Sequence, residues 1–180
     1  MKKYFFAVFF ILMCNFLNAQ LFMTRTGFIG FYSQTSLEDI KAENNQVYAV
    51  IDPAKKNIAF TLLMKGFVFE RELMQEHFNE NYAETDKFPK ATFSGAYTGN
   101  IDITKDGVYN ISVAGALTMH GVTKNIQLPA TLEVKAGKLF GRTKFQVKPE
   151  DYNIIIPSIV RDKIAAMMDV NVNINCTAVK

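Results

Sequence analysis

Leu117-Thr118-Met119-His120-Gly121-Val122-Thr123-Lys124 is the stretch whose reading decides the fold. It closes one long alternating run and opens another. In Val108 to His120, the residues Tyr109, Ile111, Val113, Leu117 and Met119 share a face, with Gly115 in the same row. Asn110, Ser112, Ala114, Ala116, Thr118 and His120 share the other. Period-two alternation of this kind belongs to a half-buried strand. After the turn at Gly121, Asn125 to Val134 repeats the pattern: Ile126, Leu128, Ala130, Leu132 and Val134 lie against Gln127, Pro129, Thr131 and Glu133. At about 3.3 Å per residue the first run spans a whole small barrel. Gly115 is where so long a strand is expected to bend. Pro129 lacks a ladder donor, which predicts an edge, a seam or a bulge there.

Downstream, Ala136-Gly137-Lys138 signals a turn, and Leu139 to Val147 continues with Thr143, Phe145 and Val147 opposite Arg142, Lys144 and Gln146. Pro149 to Asn153 is irregular. Ile154-Ile155-Ile156-Pro157 reads as a buried apolar clamp or the mouth of something, and Ser158 as a cap for a helix over Ile159 to Met168. Asp169 to Ala178 is the cleanest strand, with Val170, Val172, Ile174, Cys176 and Ala178 facing one way.

Upstream, Ala91 to Tyr97 is a strand carrying Phe93. Glu70 to Asn79 changes period: Leu73, Met74, His77 and Phe78 form one stripe of a short helix. Ile58 to Phe67 is a strong strand, forming a hairpin with Gln46 to Ile51 across Asp52-Pro53. Thr35 to Asn45 is polar and acidic and reads as a loop or short helix. Thr24 to Ser33 is a twisted first strand bent at Gly27 and Gly30. The sum is roughly eight strands joined mostly by short turns, hence antiparallel. One apolar and one polar face per strand suits a sandwich or a closed barrel, and closure leaves no free edge. The fold class is therefore all-β, an eight-stranded antiparallel barrel with one or two short helices.

Residues 1–19 have the layout of a secretory signal peptide: Lys2 and Lys3, an aromatic-rich apolar run from Tyr4 to Met13, and Ala19 before Gln20. The run is short of the roughly 20 residues a membrane span needs. Cys14 ends Ile-Leu-Met-Cys, but the bulky Met13 before it and the apolar Leu17 beyond it argue against lipidation. Residues 20–180 are expected to form one domain, periplasmic or secreted, with no stable membrane insertion. Of the 20 Lys+Arg, Lys2 and Lys3 leave with the leader, so 18 face 17 Asp+Glu. That near-neutral balance gives no electrostatic case for nucleic acid. Cys176 is the one cysteine beyond the leader, so no intrachain disulfide is expected. Oligomeric state is open, a homodimer included.

No catalytic constellation is visible. His77 and His120 are the two histidines, and neither has a second metal ligand at standard spacing. His77, on the helical stripe, reads as a packed core histidine, and His120 as a structural hydrogen-bonding group. The functional alternative for both is a polar ligand contact at a cavity mouth. Cys176, mid-strand on an apolar face, reads as inert. Neither G-x-S-x-G nor a Gly-rich phosphate loop occurs, and no cofactor is implied. What remains is apolar supply. Phe60, Leu62, Met64, Phe67, Phe93, Ile111, Val113, Leu117, Met119 and Phe145 are placed to point inward. An eight-stranded barrel either fills its interior with such side chains or holds one small ligand.

Phe88-Pro89-Lys90-Ala91-Thr92-Phe93, followed by Gly115 to Lys124 and a strand Asn125-Ile126-Gln127-Leu128, resembles the YceI-like family. Gln75-Glu76-His77-Phe78 and the terminal strand from Val170 to Ile174 are similar to it as well, so the resemblance covers most of residues 21–178. It implies an extended lipocalin-like barrel, exported from a bacterial cell, that is non-enzymatic and binds a long apolar or amphiphilic lipid of the polyisoprenoid or isoprenoid quinone class. Two places depart from the family pattern: Met74-Gln75-Glu76-His77 lacks an Arg-Asp pair, and Thr24-Arg25-Thr26-Gly27-Phe28 stands where a D-x-x-H-S start is usual. The alternative is an exported structural or stress-related barrel with a filled interior and no ligand.

Overall fold

The computed structural model describes residues 20–179, so the expected signal peptide and Cys14 lie outside the described residues. In chain order the strands are β1 Phe22–Gln34, β2 Asp39–Asp52, β3 Asn57–Leu63, β4 Val68–Phe69, β5 Lys90–Thr98, β6 Gly107–Met119, β7 Val122–Lys135, β8 Lys138–Val147 and β9 Met168–Ala178. The helix α1, Glu72–His77, lies between β4 and β5 and runs on into a wider π turn, Phe78–Tyr82. Every pairing is antiparallel. The order β1-β9-β8-β7-β6-β5-β3-β2 closes through β1–β2 into the expected eight-stranded barrel, with β4 a short addition on β2.

The opening stretch forms the hairpin it predicts. Met119 pairs with Val122, and the two residues between them, His120 and Gly121, have φ of 50° and 72°. Two successive positive-φ residues match the twist of the flanking strands, which fixes the register. The β6–β7 ladder then runs without a break from Met119↔Val122 to Gly107↔Val134. Gly115 faces Gly95 on β5, and a Cβ on Gly115 would lie 2.4 Å from the Ser94 carbonyl oxygen. The two strands approach too closely for side chains there, and only glycine fits at both positions.

Three expectations are corrected. Thr35 to Asn45 is neither loop nor helix. The chain turns at Thr35–Glu38, where the Thr35 hydroxyl donates to the Glu38 carbonyl, and β2 begins at Asp39. Barrel closure requires a partner for β1, and that tertiary demand overrides the polar composition. Asn44 shows why: fully buried, it donates to the Leu63 carbonyl (2.9 Å) and accepts from the Gln46 N–H (2.8 Å). It serves a register shift in the β1–β2 ladder. Second, the strand read as Ile58 to Phe67 stops at Leu63 and gives way to a 3-10 turn, Met64–Gly66. Third, Ser158 caps no helix over Ile159 to Met168; only a 3-10 turn, Ser158–Val160, forms, without a side-chain cap.

All long connections emerge at one end, here called the top: residues 64–89, which contain α1, and residues 148–167. At the bottom, Phe22, Ile51, Tyr97, Val134, Leu139 and Cys176 pack into a buried cluster, with Ile101, Ile103 and Tyr109 against it. At the top, Phe31 meets Phe67 and Phe78 with centroids 5.1 and 5.6 Å apart, anchoring the α1 connection to the barrel. The bottom is therefore closed by side chains, while the upper lumen is bounded by loops.

Candidate functional site

Above the bottom cluster the barrel holds a cavity of about 520 Å³. That lies within the roughly 300–1,000 Å³ of small-molecule sites. All ten residues expected to point inward line it: Phe60, Leu62 and Met64 from β3 and the turn after it, Phe67, Phe93 from β5, Ile111, Val113, Leu117 and Met119 from β6, and Phe145 from β8. In each strand one face supplies them because alternate residues share a side, while Met64 and Phe67 come from the 3-10 turn after β3. The middle of the barrel is thus not filled by its own side chains.

Two contributions stand outside those ten. Ile29, Phe31, Ile40 and Val47 line the cavity from β1 and β2. The register shifts in these strands interrupt their alternation, which the sequence shows only over Gln46 to Ile51, with Val47 on one side. Ile154 and Ile156, read as a buried clamp or a mouth, line it from the β8–β9 connection, together with Val160 and Ile164, for which that connection has no period to read. The three consecutive isoleucines were the available signal.

The lining is hydrocarbon and aromatic, with charge confined to margins. Glu38, Arg71, His77 and Lys163 reach it from the top loops, and Arg142 from the outer face of β8. Arg71 donates to Glu38 at 2.5 Å, tying the α1 connection to the β1–β2 turn. His77 is not a core histidine. It sits exposed on α1 and contributes to the cavity mouth. Its stripe companion Leu73 is 61% exposed and lines the same mouth. The helix turns this face to a cavity that communicates with solvent, rather than to packed side chains.

His120 does not line the cavity. Its Nδ1 donates to the Tyr152 carbonyl (3.0 Å), and its Nε2 lies 3.1 Å from a Glu84 carboxylate oxygen. Its ring packs on Phe88 at 4.3 Å. The side chain is buried and joins three segments: the β6–β7 turn, the loop before β5 and the β8–β9 connection. Lys87, and then His120, hold the Glu84 carboxyl below its ordinary range. Cys176 is fully buried in the bottom cluster, and burial pushes its thiol up to about 12. It is far from the reactive thiolate form. Among the described residues no three His, Cys, Asp or Glu side chains are placed to hold a metal ion.

An arrangement of this kind removes apolar surface from water. The described walls offer few polar groups to reacting atoms. A family model for the YceI-like domain matches residues 22–178.

The chain belongs to the YceI-like family.

Solved structures of similar shape agree on the fold. A polyisoprenoid binding domain from Saccharophagus degradans, implicated in plant cell wall breakdown, superposes with a TM-score of 0.76 at 13% identity, covering 88% of this chain and 98% of that one. BcnA of Burkholderia cenocepacia gives 0.70 at 14% identity, covering 84% and 96%. The YceI protein of Campylobacter jejuni gives 0.59 at 22% identity, covering 82% and 89%. A comparison with curated proteins finds no match. This YceI-like chain therefore shares its barrel with proteins of very different sequence, one of them a polyisoprenoid binder.

Proposed function

We propose that this YceI-like protein is an exported, non-enzymatic carrier or sequestering protein for a long-chain apolar or amphiphilic lipid, of the polyisoprenoid or isoprenoid quinone class, held inside the barrel. One observation carries this reading: the unfilled lumen, lined by Phe60, Phe93, Ile111, Val113, Leu117 and Phe145. Each methylene moved from water into such a lumen gains about 0.8 kcal/mol. A long chain collects that gain repeatedly, and Met64 and Met119 adapt to its irregular outline. A polar or charged end then lies near the marginal groups, His77 and Lys163 among them. The signal-peptide layout of residues 1–19 supports export, to a compartment where lipids must cross water between membranes. Kinship with a polyisoprenoid binding domain supports the ligand class.

The alternative, an exported barrel with a solid interior, is disfavoured by the cavity itself. Native mass spectrometry after mild extraction tests the proposal. A retained prenyl lipid, or stoichiometric uptake of geranylgeraniol and a prenylquinone by stripped protein, is expected. Protein that remains unbound when offered both overturns it.

A further inference from the structure

The barrel wall is not continuous. The β6–β7 and β8–β9 ladders run to the top of the barrel, ending at Met119↔Val122 and Val147↔Met168. The β7–β8 ladder stops half-way. It covers only Thr131↔Arg142 to Lys135↔Lys138, so Val122 to Ala130 and Thr143 to Val147 diverge above it. Pro129 stands at the fork. Its carbonyl accepts from the Thr143 hydroxyl at 2.8 Å, on the β8 side. The N and C=O of one strand residue point the same way, so the missing N–H also faces the fork and the β6 ladder loses nothing.

The cavity reaches this fork. Ile126 and Leu128 line it from one lip, Phe145 and Val147 from the other. Thr131 and Arg142, the topmost β7–β8 pair, sit on the outward side of their strands and still line it. A sealed wall would keep an outward pair from the lumen. The β8–β9 connection supplies Ile154, Ile156 and Val160 to the same cavity. Its backbone hydrogen bonds are internal turns, such as Ile154 N–H to Pro149 and Ile164 N–H to Val160. Among the described residues three polar contacts fasten it, beside the burial of Tyr152, Ile154 and Ile156: the Tyr152 carbonyl on His120 (3.0 Å), Asp151 with Lys124 on β7 (3.6 Å), and the Ala165 N–H on the buried Ser33 hydroxyl (2.8 Å).

We propose that the fork between β7 and β8 is a lateral port for the ligand, and that the connection over residues 148–167 is the strap that closes it. The inference rests on the lumen-bound ligand proposed above. Lifting the strap breaks three polar contacts and exposes the buried Tyr152, Ile154 and Ile156, but it breaks no strand ladder; elsewhere the wall is laddered except above Tyr48↔Thr61, where β2 carries only the two-residue β4 beside the α1 connection. The bottom is packed shut. The competing route lies past α1 at the top.

The test joins each cover in turn, in a Cys14→Ser background; the buried Cys176 thiol stays silent. Lys124→Cys with Asp151→Cys, linked by a bis-maleimide carrying a cleavable disulfide, fixes the strap to β7. Lys41→Cys with Glu70→Cys, one step beyond the Ala42↔Phe69 pair and outside the cavity lining, linked the same way, fixes the α1 connection to β2. Loading and release of geranylgeraniol are followed by stopped flow. The strap link is expected to slow both about tenfold or more, as locking a gate does, with Kd little changed and full recovery on reduction. The α1 link leaves the rates near those of the unlinked protein. His120→Gly, which suits the positive φ and removes a fastening, speeds both steps. Unchanged rates in the strap-linked protein, or slowing by the α1 link instead, overturn the port. Failure of the unlinked, wild-type chain to bind either geranylgeraniol or the prenylquinone overturns the lumen reading, and the port with it.

Discussion

Ala130→Phe separates a binding lumen from a structural core more sharply than truncation does. Ala130 lies on β7 opposite Ile111, half-buried, and lines the cavity. The substitution puts a six-carbon ring into space a ligand chain would use. Displacing about six carbons forfeits up to ~5 kcal/mol at ~0.8 kcal/mol each. A chain that slides aside within about 520 Å³ of cavity recovers part of this. A net loss of at least ~2 kcal/mol remains, which weakens Kd about thirtyfold or more. Stability should move the other way or not at all, because the ring enters unfilled apolar space and gains contacts without overpacking. Ala114→Phe is the control. Ala114 is exposed on the outer face of β6, so the same ring there should leave affinity unchanged. Calorimetric titration of stripped protein with geranylgeraniol gives Kd, and thermal unfolding of the same samples gives Tm. Wild-type affinity in the Ala130→Phe protein, or equal weakening by Ala114→Phe, refutes the reasoning.

Three further outcomes follow from local geometry. Gly95→Ala places a Cβ 2.2 Å from the Ala114 carbonyl oxygen, a backbone atom that cannot step aside, so chemical denaturation should show a loss of about 3 kcal/mol or more. Asn44→Leu preserves bulk but leaves the Leu63 carbonyl and the Gln46 N–H without their partner, and the same assay should show a loss of about 2–4 kcal/mol. Glu84 titrates below its ordinary range because Lys87 and then His120 favour its ionised form. Its contribution is therefore complete above the carboxylate's ordinary value, near 4.5, and is lost as pH falls through the lowered folded value. A Glu84→Gln protein should show a flatter fall in Tm over that acid range than the wild type, and parallel curves would contradict the assignment.

Much of this molecule is legible in local pattern, and the physical reason is the regularity of its longest strands. Where β6, β7 and β9 alternate without interruption, each residue's face follows from its neighbours, because successive side chains of a strand point to opposite sides. Ile111, Val113, Leu117 and Met119 could be named as lumen residues on that basis, and the His120–Gly121 turn set the register of the strand pair that carries them. The motif from Phe88 to Phe93, joined to that from Gly115 to Lys124, supplied the family.

Local pattern failed where another part of the chain makes the decision. The polar run Asp39 to Asn45 is a strand because closing the barrel gives β1 a partner, and Asn44 is buried because Leu63, distant in sequence, needs a donor. His77 and His120 carry the same side chain, yet one faces the mouth and the other ties three segments together. Whether the interior was solid or hollow was also beyond the sequence. Composition gives the volume of the side chains, but the space they must fill depends on how eight strands close and where one ladder stops, and both are properties of the assembled barrel.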